Sequence, residues 1–349
     1  MIDFHCQCGT RVFFRNTQCL TCQRLLGFDS VGFTMVSLRP VAEADKTLRD
    51  EATGKEFRYC GNYYDYNACN WLLPVASRQR FCVSCRLNKT VPDLSHRINV
   101  ERWISLESAK RHTLYSILRL GLALTPANNR NVKLEFAFLE DGRTNAEFAD
   151  TFVSTGHRSG LITINLAEAD TAYRERVREQ LGESYRTLLG HFRHEIGHYY
   201  YELLVASTAW REPFEALFGN PDEDYNSALK QHYGAVQNNW MPEYISAYAQ
   251  SHPLEDWAET WAHYLHMIDT LETAGQFDVM QLKGEAAEGR GVLNKPFAEL
   301  VDTWLELSVK LNALNRSMGM RDAYPFVITD PVYAKLDFIH RVVGNSGTG

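Results

Sequence analysis

The positions of the cysteines constrain this chain most strongly. All eight lie between Cys6 and Cys85, and none follows in the remainder of the 349-residue sequence. Cysteine pairs at short spacing in a reducing compartment favour zinc over disulfides. The N-terminus has no basic and apolar signal pattern, and no segment approaches the ~20 apolar residues that cross a bilayer. We therefore expect a cytoplasmic protein without membrane association, whose cysteines bind zinc.

The cysteines fall into two sets of four. They are Cys6, Cys8, Cys19 and Cys22, then Cys60, Cys69, Cys82 and Cys85. Four thiolates complete a tetrahedral zinc site and leave no position for water, so both zinc ions are predicted to be structural. The first pair has C-x-C rather than C-x-x-C spacing, and His5 beside it is an alternative ligand. Ordinary buried thiols are the alternative for the cysteines as a whole.

Residues 1–90 are predicted to form a β-rich zinc-ribbon module. Alternating apolar residues such as Gly32–Leu38 indicate strands, and the polar segment Lys89–His96 is typical of a linker. A helical pattern begins near Asn99, so we assign residues 97–343 to a second domain. The module carries 12 basic and 8 acidic residues, a net charge of +4. This modest charge argues against nucleic-acid binding, although the aromatic residues of the module lie near arginines, as in some nucleic-acid-binding surfaces. The alternative is that the module binds a protein partner.

The sequence His-Glu-Ile-Gly-His at residues 194–198 carries the chemistry of the second region. The surrounding segment, Thr171–Leu204, lacks proline and has helical apolar spacing. On a helix His194 and His198 share one face and can bind one metal, while Glu195 can accept a proton from a water beside it. Zinc is the expected ion. Two histidines on a helix surface are the alternative.

A catalytic zinc site needs a third protein ligand. Tyr201 and Leu204 occupy the positions where a metzincin carries glycine and histidine, so that class is excluded. An acidic helix is predicted to start at Pro253, and its Glu255 and Glu259 share one face. One can bind zinc while the other holds a ligand histidine by its second nitrogen. Asp256 is a further alternative, as is a merely solvated acidic helix start.

Other residues near these motifs are weaker candidates. His191 lies one turn before His194, and either orients the site or lies on the surface; the remaining histidines that could touch the site are His232, His252, His263 and His266. Gly160–Ala167 and Lys133–Leu139 have strong β patterns and predict a small sheet. Its edge can hold an extended peptide by strand addition, or both strands can be purely structural.

The acidic segment resembles the gluzincin plan, in which a second helix supplies a glutamate ligand with another acid one turn later. That resemblance implies Glu255 as the zinc ligand and Glu259 as the residue that orients a histidine. The sequence EDWAE is also similar to the EFFAE-like helix of lethal-factor-type gluzincins, which have a tyrosine seven residues before the ligand. This implies Tyr248 as an oxyanion stabiliser; Tyr244 and Tyr264 compete for the role.

The chain as a whole resembles a bacterial family of zinc-binding metallopeptidases with an N-terminal zinc-ribbon region. The segments that carry the resemblance are Phe4–Asp29, Cys69–Pro74, Phe81–Leu94, Gly160–Asp170, Tyr185–Tyr200 and His252–His266. It implies an α+β protein: a β-rich zinc-ribbon module, then a mainly helical zincin-like domain with a small sheet.

The function implied is hydrolysis of a peptide or isopeptide bond in a peptide or protein substrate, with one catalytic and two structural zinc ions. The competing hypothesis is a zinc-ribbon binding or scaffold protein, with a protein or nucleic-acid partner. In that case the zincin site would be vestigial or restricted to one partner.

Overall fold

A computed structural model describes residues 1–41, 46–125, 132–181, 186–234, 239–280 and 289–346. The chain divides into two compact units. The first comprises residues 1–115, 135–155 and 163–170, and the second comprises residues 116–134, 156–162 and 171–349. The cysteines belong to the first unit, and the HEIGH motif belongs to the second.

The first unit is built largely from short antiparallel strands. Strands β1 and β2 form a hairpin, and β3 to β7 form a five-stranded sheet in sequential order. The bounds are β1 Phe4–His5, β2 Arg11–Val12, β3 Leu25–Asp29, β4 Thr34–Pro40, β5 Leu48–Asp50, β6 Glu56–Tyr59 and β7 Leu72–Pro74. A short helix, α1 (Gly61–Tyr66), lies between β6 and β7. Antiparallel neighbours can be joined by a short turn, as β3 and β4 are, whereas β6 and β7 are joined through α1.

Apolar side chains of these strands form the core of the sheet. The cluster comprises Val36, Leu38, Leu48, Phe57, Tyr59 and Leu72. Phe14 and Trp71, two of the aromatic residues near arginines, are also buried, and both pack against Phe28. Phe13, by contrast, is 61% exposed. Most of the large aromatic side chains here therefore build the core, because they bury the greatest apolar area.

A long helix and a second small sheet complete the first unit. The helix, α2, spans Arg97–Arg119 and contributes its residues up to Tyr115; Trp103, Leu106 and Leu114 on one face are buried. Strand β8 (Asn88–Thr90) pairs in parallel with β9 (Glu135–Leu139). Residues 163–165 of β11 (Leu161–Asn165) lie beside β9, so the two predicted strands do share a sheet.

In the described part of the second unit the regular elements are helices, apart from β10 (Gly156–Arg158) and the first residues of β11. Its helices are α3 Thr171–Leu181, α4 Leu188–Leu204, α5 Arg211–Phe218, α6 Tyr225–Gly234, α7 Pro253–Gln276, α8 Phe297–Ser317 and α9 Asp330–Asn345. The single helix expected over 171–204 is thus two helices. The Thr187 hydroxyl accepts a hydrogen bond from Gly190 N at 3.0 Å and caps α4 at its own start.

Helices α4 and α7 pack closely and fix the position of the motif. The Trp257 indole donates a hydrogen bond to the Gly197 carbonyl at 2.8 Å. A Cβ atom on Gly197 would lie only 3.2 Å from Ala258 Cα, so this glycine permits the close approach of the two helices. Helix α7 begins at Pro253 as predicted, with the His252 side chain as its cap.

The predicted α+β fold class is confirmed: a β-rich region precedes a mostly helical region. Among the described residues, no helix is both long and apolar enough to cross a membrane. The domain boundaries at residues 90 and 97 stay predictions.

Candidate metal centres

The first cysteine set forms a compact cluster of sulfurs. Cys6 Sγ lies 3.5 Å from Cys22 Sγ, and Cys8 Sγ lies 3.7 Å from Cys19 Sγ. Sulfurs bound 2.3 Å from a tetrahedral zinc lie about 3.8 Å apart, so this cluster fits a zinc ion. Cys8 is exposed, whereas Cys6 and Cys19 are buried. His5 lies on the outside, near Asp3, so the structure does not place it in the cluster.

Burial and local hydrogen bonds act differently on these thiols. Burial raises the pKa of Cys6 to about 11, whereas the backbone and side chain of Arg24 lower the pKa of Cys22 to about 6. The exposed edge of the cluster therefore ionises readily, and the buried thiol needs a cation to become a thiolate.

The second cysteine set is completely buried. Cys69 Sγ lies 3.7 Å from Cys82 Sγ, and all four sulfurs lie within 4.8 Å of one another. Backbone N–H groups support them, because Cys82 N donates to Cys60 Sγ at 3.3 Å. Burial also raises the pKa of Cys82 well above its ordinary value. Four buried sulfurs this close together fit a closed structural zinc site.

Charged residues of helix α2 surround this second cluster. The Glu107 carboxylate lies 3.8 Å from Cys85 Sγ and is fully buried. Lys110 Nζ donates to Glu107 at 2.8 Å, and the Arg111 guanidinium lies 3.7 Å from the same carboxylate. Two cations therefore offset the negative charge that Glu107 and four thiolates concentrate in the core.

The HEIGH motif and helix α7 bring three ligand atoms together in the second unit. Nε2 of His194 lies 3.3 Å from Nε2 of His198. Glu255 Oε2 lies 3.0 Å from the first of these nitrogens and 3.5 Å from the second. Ligands about 2.0 Å from a tetrahedral zinc lie about 3.3 Å apart, so this triangle has the dimensions of a zinc site with one open position.

Glu259 lies on the opposite side of His194. Its Oε1 is 2.7 Å from His194 Nδ1, and its Oε2 accepts a hydrogen bond from the Ser246 hydroxyl at 2.7 Å. Burial raises the pKa of Glu259, but its bond to His194 outweighs this and lowers the pKa to about 2. The ionised carboxylate accepts a hydrogen bond from His194 Nδ1–H. The proton of the neutral imidazole therefore lies on Nδ1, and Nε2 directs its lone pair towards the triangle.

The triangle therefore attracts a cation. Burial alone would lower the pKa of His194, but hydrogen bonds to Glu255 and Glu259 raise it well above the ordinary value. Without a cation, the lone pairs of two histidine nitrogens would face a carboxylate that is 1% exposed. A proton or a divalent ion can remove this repulsion, and the tetrahedral spacing suits zinc.

Glu195 lies beside the ligands with its carboxylate ionised. His191 Nε2 lies 3.4 Å from Glu195 Oε1, one helical turn away. Burial raises the pKa of Glu195, but His191 and the neighbouring His194 lower it overall. A buried, ionised carboxylate next to a metal site is the group that a general base requires.

The other predicted candidates are divided between this site and positions elsewhere. The Tyr248 ring lies 5.9 Å from the His194 ring and borders the site, whereas the His232 ring lies 6.2 Å from the Tyr248 ring. Asp256 instead pairs with Lys335 at 2.6 Å. Lys335 also covers the Tyr244 ring, and the Tyr264 hydroxyl lies 3.0 Å from His340 Nδ1.

The remaining histidines have structural contacts. His252 caps α7, His263 Nδ1 lies 3.0 Å from the Tyr324 hydroxyl, and the His266 ring packs against Trp304.

Two residues of the site gave no signal in the sequence. Tyr225 of α6 donates its hydroxyl to Glu255 Oε1 at 2.6 Å. His157 of β10 stacks on His198 at 6.0 Å, and its Nε2 accepts a hydrogen bond from Gly160 N. Both lie far from the motifs in sequence, and neither belongs to a recognisable spacing.

Comparison with known proteins identifies the family. A family model described as "Putative zinc-binding metallo-peptidase" matches residues 99–342. The chain belongs to this metallopeptidase family. A zinc-ribbon model matches residues 3–96, so the resemblance read from the sequence is confirmed in both regions.

Relatives of similar length occur in mycobacteria. Uncharacterized proteins of Mycobacterium tuberculosis and Mycobacterium bovis are each 40% identical to this chain over 348 residues, which is 98% of this chain and 95% of theirs. No solved structure matches the chain.

Proposed function

We propose that this metallopeptidase is a gluzincin-type enzyme that hydrolyses a peptide or isopeptide bond at the HEIGH site. The observation that carries the proposal is the triangle of His194 Nε2, His198 Nε2 and Glu255 Oε2, with the ionised Glu195 beside it. Glu259 holds His194 in the required tautomer. The donor set and its dimensions favour zinc, with three protein ligands and a fourth position open.

The residues have distinct roles in the proposed reaction. A bound zinc ion would polarise the scissile carbonyl and favour deprotonation of water. Glu195 accepts the proton of the attacking water and passes it to the amine that leaves. The Tyr248 hydroxyl donates a hydrogen bond to the oxygen that gains charge, a role supported by its position beside His194.

For the first unit we propose two structural zinc ions, one in each cysteine set, and a role in positioning the peptide or protein substrate or a protein partner. The closed ligand sets support the structural assignment. All eight cysteines lie in two metal-sized sets of four, and the use of cysteines for metal binding supports our proposal of a cytoplasmic location.

The test combines metal content with activity. We expect three zinc ions per wild-type chain and two in His194→Ala/His198→Ala. Glu195→Gln should retain three, yet cleave a peptide library at least about 100-fold more slowly, because it removes only the base. The matched control is Glu212→Gln, an exposed glutamate of α5. Cleavage by Glu195→Gln at the wild-type rate would contradict the mechanism, and two zinc ions in the wild type would favour a scaffold role.

A further inference from the structure

Tyr225 connects an exposed helix to the most buried member of the ligand triangle. The residue is 39% exposed, and no residue of α6 is buried. Its hydroxyl nevertheless reaches Glu255, which is 1% exposed, and donates to Oε1 at 2.6 Å. A short hydrogen bond to a buried carboxylate is among the stronger kinds in proteins.

Because of this bond, the two oxygens of Glu255 have different partners. Oε2 faces the histidine nitrogens at 3.0 and 3.5 Å, while Oε1 accepts from Tyr225. A glutamate whose second oxygen is already engaged binds a metal through one oxygen only. The coordination position that a second oxygen would take therefore stays open for water or substrate.

Tyr225 is itself held in place by the residue that starts helix α7. The His252 ring meets the Tyr225 ring edge to face at 5.1 Å. His252 Nδ1 accepts a hydrogen bond from Leu254 N at 3.1 Å, so its Nε2 carries the proton and donates to the Glu223 carbonyl at 3.2 Å. The same imidazole thus fixes the start of α7 and the chain just before Tyr225.

We propose that Tyr225 is a positioning residue that holds Glu255 in single-oxygen geometry and thereby sets the zinc affinity of the HEIGH site. The inference rests on the proposed function only in requiring zinc at this site. It assigns a role to a residue outside both motifs, through a contact that neither motif predicts.

The test compares Tyr225→Phe with Tyr233→Phe. Tyr233 lies on the same helix and is 63% exposed, so its variant controls for loss of a tyrosine hydroxyl. We expect Tyr225→Phe to weaken zinc binding at the HEIGH site about 10-fold in chelator competition, the lower end for loss of a ligand's partner. Tyr233→Phe should stay within 2-fold of the wild type. The zinc ions of the cysteine sets serve as an internal reference in every sample.

A spectroscopic readout separates positioning from general stability. In protein loaded with cadmium-113, nitrogen- and oxygen-bound cadmium resonates apart from thiolate-bound cadmium. Tyr225→Phe should shift only the former signal, because Glu255 can then bind through both oxygens. An unmoved signal or an unchanged zinc affinity would overturn the proposal. Wild-type protein that binds no metal at His194 and His198 would overturn both this inference and the proposed function, whereas equal binding by wild type and Tyr225→Phe would overturn the inference alone.

Discussion

The cysteine sets and the HEIGH site assemble metal ligands in different ways. Each cysteine set gathers four sulfurs from turns and short elements, and these four sulfurs alone complete the ligand set. The HEIGH site gathers three candidate ligand atoms from two long helices, and His194 and Glu255 each depend on another side chain for their orientation. The difference teaches that closed sites depend mainly on their ligands, whereas an open site also depends on the residues behind them.

Replacing one cysteine in each set should give the largest effects. We expect Cys82→Ser to unfold much of the first unit, because structural zinc typically contributes about 10 kcal/mol or more to folding and this cluster is fully buried. Cys8→Ser removes an exposed ligand, so zinc should be lost from the first set with a smaller effect on the fold. Limited proteolysis and zinc content of both variants measure this; equal protease resistance of Cys82→Ser and wild type would contradict the comparison.

Acid should destabilise the second unit through a histidine that binds no metal. Burial lowers the pKa of His263 to about 4, against an ordinary value of 6.5. Between these pH values His263 is protonated in the unfolded chain but not in the folded chain. The free energy of unfolding therefore decreases as the pH falls from about 6.5 to about 4. The loss at the acid end is up to about 3 kcal/mol.

The variant His263→Asn isolates this contribution because asparagine does not titrate. Urea unfolding of both proteins at pH 7.5, 6 and 5 gives the difference in their free energies of unfolding. We expect the wild type to lose more stability than the variant over this range, and parallel pH dependences would contradict the assignment.

The cysteine positions and the HEIGH motif allowed much of this architecture to be predicted. Metal ligands that share one turn or one helix face lie at short, regular spacings, so pairs such as Cys82 and Cys85 or His194 and His198 can be recognised in the sequence. The resemblance to gluzincins also pointed to Glu255 and Glu259, whose hydrogen-bond partners in the structure support those roles.

What could not be predicted depends on tertiary contacts. Tyr225 and His157 reach the site from separate elements, and no local pattern encodes such an approach. The break between α3 and α4 was missed because helical apolar spacing continues across it, whereas Thr187 starts a new helix by capping it. Asp256 and Glu255 are adjacent acids on one helix, and the helix rotation directs Asp256 to Lys335 and Glu255 to His194.

Removing the support of His194 tests the dependence of the open site on its neighbours. We expect Glu259→Gln to weaken zinc binding at the HEIGH site by about 10- to 100-fold, because the amide cannot hold Nδ1–H as an ionised carboxylate does. Ser246→Ala removes only the bond to Glu259 Oε2, so its effect should be smaller. Chelator competition ranks the two variants. An effect of Ser246→Ala as large as that of Glu259→Gln would mean that the hydroxyl, not the charge, controls the histidine.

The smallest expected effect concerns the spacing of the two helices. A methyl group at Gly197 would lie 3.2 Å from Ala258 Cα and 3.1 Å from the Trp261 ring. Overpacking of this kind typically costs about 1–3 kcal/mol, whereas alanine improves helix propensity by about 1 kcal/mol, so Gly197→Ala should destabilise by about 1 kcal/mol.

Gly344→Ala supplies the matched control, because a methyl group there meets no atom within 4 Å and the position lies in helix α9. It should be neutral or slightly stabilising in thermal unfolding. Since Ala258 follows Glu255 on α7 by less than one turn, Gly197→Ala should also weaken zinc binding by displacing that ligand. Weaker zinc binding without loss of stability would show that helix spacing acts on the site alone. If neither the stability nor the zinc affinity changed, α4 and α7 could move apart to accept the methyl group without disturbing the site.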